Sequence, residues 1–114
     1  MGLGERIAAK RQKRRNKVVV AEWGDEGKPL EIYASTLTCH DVDRLQKKHK
    51  DFLNNMTIEG MVDLIILKAE TVEGEKMFTL EDKPHLMREP ILLMSRVAGE
   101  VFGSVLSIEE QEKN

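Results

Sequence analysis

The sequence has little of the material from which membrane spans and disulfide-stabilised folds are built. One cysteine, Cys39, occurs among the 114 residues, which excludes an internal disulfide framework and a thiolate zinc cluster. No apolar run approaches the roughly 20 residues that cross a bilayer, and no apolar segment of a secretory signal follows the basic start. With 40% hydrophobic and 4% aromatic residues, the chain can fill one modest core. We therefore expect a single small cytoplasmic domain without a membrane span.

Motifs for catalysis, metal binding or nucleotide binding are also lacking. His40, His49 and His85 stand at no spacing that is typical of a zinc site. Cys39 and His40 are adjacent, so on a helix their side chains would point about 100° apart and could not act as a nucleophile with its base. The glycines form neither a P-loop nor a dinucleotide-binding motif. The sequence thus predicts no catalytic residue, no metal site, no cofactor and no enzyme activity.

The charge is unevenly distributed, although the formal net charge is only -2. Residues 1–17 contain seven basic side chains and one acidic side chain, Glu5. The remaining chain holds 11 basic and 19 acidic residues, a net charge of -8. We therefore interpret residues 1–17 as a flexible basic arm, residues 18–108 as one domain, and residues 109–114 as a frayed tail.

The basic arm leaves nucleic-acid binding open as an alternative function. Arg11, Lys13, Arg14 and Arg15 are candidates for electrostatic contacts, because clustered cations neutralise phosphates. No aromatic residue is interleaved with them to stack on bases, and the acidic body would be repelled by the same backbone. We favour the interpretation that the arm contacts an acidic protein partner or is simply solvated.

The patterning predicts an α+β domain, mainly helical, in which an N-terminal β-hairpin precedes about four helices. A β-branched run begins at Val18 and ends at a loop over residues 24–27, and alternation resumes from Leu30 to Ala34. Thr38, Thr57 and Thr79 stand where helix N-caps are expected. The predicted helical segments are 38–54, 58–70, a brief one from 79, and one from Pro90 to about Ser104. Ser107 and Glu110 predict a separate last turn.

Two of these helices carry apolar residues on more than one side. Leu64 and Leu67 fall outside the main apolar stripe of the helix over 58–70, and Leu93 and Val97 widen the stripe of the last helix. A helix of this kind is either central in the core or half of an interface. Leu64, Leu67, Leu93 and Val97 are therefore the candidate partner-binding residues. A homo-oligomer is an alternative way to cover Leu64 and Leu67.

Four segments follow one another in a characteristic order. They are the strand and glycine turn over Val18–Gly24, Leu37–Asp41, Val72–Asp82, and Pro84–Arg88 with the apolar helix that follows. In this order of elements the chain resembles the tail assembly chaperone family of long-tailed, lambda-like phages. The resemblance covers the chain from about Lys17 onward, and the basic arm is a departure from it.

This resemblance implies a phage or prophage protein that binds the tape measure protein in the host cytoplasm. The chaperone would keep that long helical chain soluble while tail tube subunits polymerise around it, and it would be absent from the finished virion. The tail tube protein is a further implied partner. A minor structural tail protein is the remaining alternative.

Overall fold

The fold begins with an antiparallel hairpin on which the helices pack. The computed structural model describes residues 2–10 and 15–113, with side chains up to Gly103. Strands β1 (Arg15–Asp25) and β2 (Lys28–Ser35) pair in a register that places Val18 opposite Ile32. Val18, Val20, Ile32 and Ala34 are buried while Val19 is exposed, so one face of the hairpin covers the core. This confirms the expected α+β class with an N-terminal hairpin.

The hairpin turn is tighter than the sequence predicted. Asp25 pairs with Lys28, so only Glu26 and Gly27 form the loop. Both have positive φ, 47° and 78°, as a two-residue type I′ turn requires. Gly24 lies within β1 instead of the loop, at a point where the opposite strand approaches closely: a Cβ on it would lie 2.0 Å from the Lys28 carbonyl oxygen.

Helix α2 (Cys39–Lys48) begins where the sequence predicted and ends earlier. The Thr38 hydroxyl accepts a hydrogen bond from the Asp41 N–H, and the Asp41 carboxylate accepts one from the Thr38 N–H. This capping box confirms Thr38 as the expected N-cap. The helix ends at His49, whose backbone is extended (φ -122°, ψ 98°). Ending there turns the imidazole inward, and Phe52 enters the core through the following turn instead of a helix.

Helix α3 (Ile58–Lys68) is the centre of the domain. It packs against α5 (Ile91–Lys113), α2, β2 and the one-turn helix α4 (Lys83–Leu86). Thr57 caps it as predicted, its hydroxyl accepting from the Gly60 N–H. Its last residue, Lys68, is buried and donates to Ser35 Oγ (2.8 Å) and Asp41 Oδ2 (2.9 Å), which ties α3 to β2 and to the start of α2. In the described chain, four α-helices follow the hairpin, as expected.

Regular secondary structure extends into the segments that the sequence assigns to the arm and the tail. A helix, α1 (Leu3–Lys10), occupies the arm, and none of its residues is buried. β1 begins at Arg15 instead of Val18, because the pairing with β2 continues to Arg15 opposite Ser35. The Arg15 guanidinium also donates to the carbonyls of Thr71 and Val72 and lies 5.0 Å from the Tyr33 ring centroid. At the other end, the backbone of α5 stays helical to Lys113 without the expected break near Ser107. No glycine or proline occurs after Gly103 to interrupt it.

Candidate binding cleft

A cleft opens beside α2, over the C-terminal half of α3 and the segment 76–80. Its volume is about 500 Å³. The segment 76–80 is held there by backbone pairing, since the Met77 N–H donates to the Ala69 carbonyl and Glu70 pairs with both Tyr33 and Lys76. The 3₁₀ turn Leu80–Asp82 follows at once, with Thr79 as its N-cap. One wall of the cleft is therefore helical. The other wall is the segment 76–80, which we call the strap.

Apolar side chains form much of the cleft lining. Ile66 and Leu67 come from α3, Leu45 comes from α2, and Phe78 and Leu80 come from the strap. Phe78 is fixed in place by an edge-to-face contact with Trp23, with ring centroids 6.0 Å apart. Leu80, in contrast, is 70% exposed at the edge of the cleft. A wall that combines a fixed aromatic with an open leucine can contact apolar groups of a partner.

Asp63 supplies a buried carboxylate to the cleft and lies at the centre of an ion-pair cluster. His49 Nε2 is 2.6 Å and Lys48 Nζ is 3.1 Å from Asp63 Oδ2. Lys83 Nζ is 3.0 Å from Oδ1 and 2.6 Å from Glu59 Oε1. The Lys83 contact lacks hydrogen-bond geometry at Oδ1, which accepts no hydrogen bond within the described chain. We call Asp63, His49, Lys48, Lys83 and Glu59 the Asp63 cluster.

Contacts within the Asp63 cluster shift the pKa values of Asp63, Glu59 and Lys83 toward their charged forms. Burial raises the pKa of Asp63, but the hydrogen bond with His49 and the adjacent ammonium groups of Lys83 and Lys48 outweigh that effect, and the pKa falls below its ordinary value of 3.8. The hydrogen bond to Glu59 is the largest of the effects that raise the pKa of Lys83. The cluster is thus a fixed set of charges that joins α2, α3 and α4 at the end of the cleft.

Three cationic side chains line the cleft near its opening. Lys48 pairs with Asp63 but keeps a side chain that is 53% exposed. Lys76 donates to the Leu67 carbonyl from the strap. Arg44, which is exposed, forms no ion pair or side-chain hydrogen bond with any residue in the described part of the chain. Asp63 is the carboxylate that faces these cations in the lining.

The structure separates the four candidate partner-binding residues. Leu64 and Val97 are 0% exposed, so they belong to the core and not to a surface that a partner could cover. The reason is that α3 is enclosed on several sides, by α5, α2, α4 and β2, so its second apolar side is also internal. Leu67 and Leu93 are half-buried, and of the four only Leu67 lines the cleft. Of the two residues behind the expectation of an oligomer, Leu64 is covered within the chain and Leu67 is covered in part.

The structure also separates the four basic residues that are candidates for electrostatic contacts. Arg15 is engaged with the Thr71–Val72 backbone and with Glu70 at 3.7 Å, which gives it a structural role at the edge of the hairpin. Arg11, Lys13 and Arg14 lie outside the described residues.

Several cleft residues could not be singled out from the sequence. The patterns predict Arg44 on the solvated face of a helix, Phe78 in a short extended piece and Leu80 in the brief helix from 79. A signal was present for His49, which falls on the apolar face of α2 with Leu45 and predicts a buried imidazole. Its partner Asp63 gave no comparable signal, because one carboxylate in an apolar helix resembles a solvent-facing position.

Comparisons with known proteins do not assign the chain to a family. The chain matches no protein family model, no characterised protein and no solved structure. In the described residues, no group of three or more His, Cys, Asp or Glu side chains is placed to hold a metal ion. None of the helices in that part of the chain has the length and apolar character to cross a bilayer.

Proposed function

We propose that the protein is a non-catalytic tail assembly chaperone that binds the tape measure protein in the host cytoplasm. The observation that carries this proposal is the cleft of about 500 Å³, whose walls present Leu67, Phe78 and Leu80 beside an open cationic edge. The resemblance in element order to phage tail assembly chaperones supports the same conclusion. On this proposal the chain acts during assembly and is absent from the finished virion.

Binding would follow the physics of a helix in an apolar groove. A tape measure segment would lay its apolar face on the cleft and bury area that stabilises the complex by about 25 cal/mol per Å². Each contact can be weak, because many copies bound along one long chain suppress its aggregation collectively. Rapid release would then let tail tube subunits replace the chaperone.

Co-expression with the tape measure protein tests this function. The tape measure protein is expressed with and without this chain, and its soluble fraction and co-purification are measured. We expect a soluble complex only when both are present. If the tape measure protein precipitates equally in both cases, the proposed function is wrong.

Helix α1 favours a second candidate function, a nucleic-acid accessory role. It presents Arg6 and Lys10 on a fully exposed helix next to the basic run. In this case, duplex DNA or RNA would bind with an affinity that falls steeply with salt and is lost on deletion of residues 2–14. Retained binding after that deletion, or no binding at low salt, would contradict it.

A further inference from the structure

The charge of the cleft is opposite to that of the domain around it. Residues 18–114 carry a net charge of -8, yet Arg44, Lys48 and Lys76 line the cleft against the carboxylate of Asp63. Lys48 and Lys83 balance the charges of Asp63 and Glu59. Arg44 and Lys76 have no carboxylate partner within the described chain, so they present a positive potential next to the apolar wall.

Arg44 is the cation best placed to contact a partner. It lies on α2 one turn before Lys48, so the two basic groups fall on one side of the helix. Lys48 is partly committed to Asp63 and Lys76 to the Leu67 carbonyl. Arg44 has no such commitment within the described chain, and its guanidinium can hold a carboxylate through two parallel hydrogen bonds.

From this arrangement we infer that the cleft selects acidic amphipathic helices: an apolar face on Leu67, Phe78 and Leu80, and a carboxylate on Arg44. This inference rests on the proposed function, since it names which segments of the tape measure protein would be captured. The apolar wall favours a helix over a nucleic-acid backbone, which would leave that wall uncovered. The chain's own helix α1 is excluded as the occupant by its charge, because Arg6 and Lys10 would face the cations of the cleft.

The test measures binding of synthetic peptides to the full chain. Overlapping peptides of about 20 residues, long enough for a helix of about 30 Å, cover the tape measure sequence, and their affinities are measured by fluorescence anisotropy. Arg44→Glu is compared with Lys47→Glu, which makes the same charge change on the same helix at an exposed position outside the cleft lining. Leu80→Ser is compared with Leu92→Ser, since Leu92 is 83% exposed and does not line the cleft.

We expect the bound peptides to be acidic and amphipathic, and their affinity to fall about tenfold in Arg44→Glu and in Leu80→Ser. The two control variants should bind as the unaltered chain does. Preference for basic or uncharged peptides, or equal effects of Arg44→Glu and Lys47→Glu, would overturn the inference. Competition by DNA for the cleft would also overturn the inference. Self-association of the chain that is lost only in Arg44→Glu would overturn it as well.

These outcomes are distinguishable from failure of the proposed function. If the unaltered chain keeps the tape measure protein soluble but the cleft variants bind its peptides normally, only the inference is wrong. If no tape measure segment binds and co-expression has no effect, the function itself is wrong.

Discussion

At the scale of single residues, Asp63 has the largest consequences for the fold. It is 8% exposed on α3, yet its carboxylate contacts basic groups from α2 and α4. Removing one partner from a buried ion pair leaves the others desolvated without compensation, which costs more than the pair contributes. The same carboxylate limits the cleft at one end, so its loss would affect both stability and the position of Lys48.

Asp63→Asn should lower the free energy of unfolding at pH 7 by about 2 kcal/mol, because the amide keeps the shape but not the charge that Lys83 and Lys48 require. Urea unfolding followed by circular dichroism measures this change. Asp43→Asn is the matched control on α2, where Asp43 is exposed and, within the described residues, pairs only with Lys47. An equal effect of the two substitutions would contradict the role assigned to the Asp63 cluster.

The pKa of Asp63 also fixes the sign of the pH dependence. Because its pKa in the folded state lies below the ordinary 3.8, its contribution to stability is present above that value. The contribution is lost as the pH falls through the folded pKa. The pKa of Asp41 is also lowered despite burial, mainly by the hydrogen bond with Lys68. Its contribution to stability is therefore lost in the same direction. As the pH falls below the ordinary value of 3.8, stability should therefore fall less steeply in Asp63→Asn than in the unaltered chain, while the Asp41 part of the slope remains.

At the scale of elements, local signals placed the starts of helices better than their ends. Thr38 and Thr57 cap α2 and α3 as predicted, because a capping hydroxyl and the N–H groups that it accepts from are close in sequence. The end of α2 at Lys48 depends on the contact between His49 and Asp63, which are 14 positions apart. Contacts of that kind decide where a helix ends. The spacing of apolar residues does not reveal them, and it predicted that α2 continues to Asn54.

Two glycines show how element context determines the effect of one substitution. Gly24→Ala should destabilise the hairpin by about 2 kcal/mol, since the new methyl group would meet the Lys28 carbonyl of the paired strand. Gly99→Ala should stabilise α5 by about 0.5–1 kcal/mol, because its position is open and alanine is the better helix former. Urea midpoints of both variants measure the difference, and destabilisation by Gly99→Ala would show that α5 packs closely there.

At the scale of the whole molecule, composition and patterning predicted the α+β class and the hairpin. They did not predict the cleft. Leu64 and Val97 were candidates for an exposed surface because the sequence shows only that α3 and α5 are apolar on more than one side. Their burial follows from α3 being enclosed by its neighbours, which is a property of topology. The cleft depends on the segment 76–80 pairing with Glu70 and Ala69, a contact that no local pattern specifies.

The central claim is that a partner binds in the cleft and not on the arm. Amide hydrogen exchange of the full chain, alone and with the tape measure segment that the proposed function expects to bind, tests this claim most directly. The same measurement on a chain lacking residues 2–10 is the control, since no residue of α1 is buried and its removal should leave the fold intact. We predict protection at 44–48, 63–67 and 76–80 in both chains. Protection confined to residues 3–17, and lost with the deletion, would contradict the account.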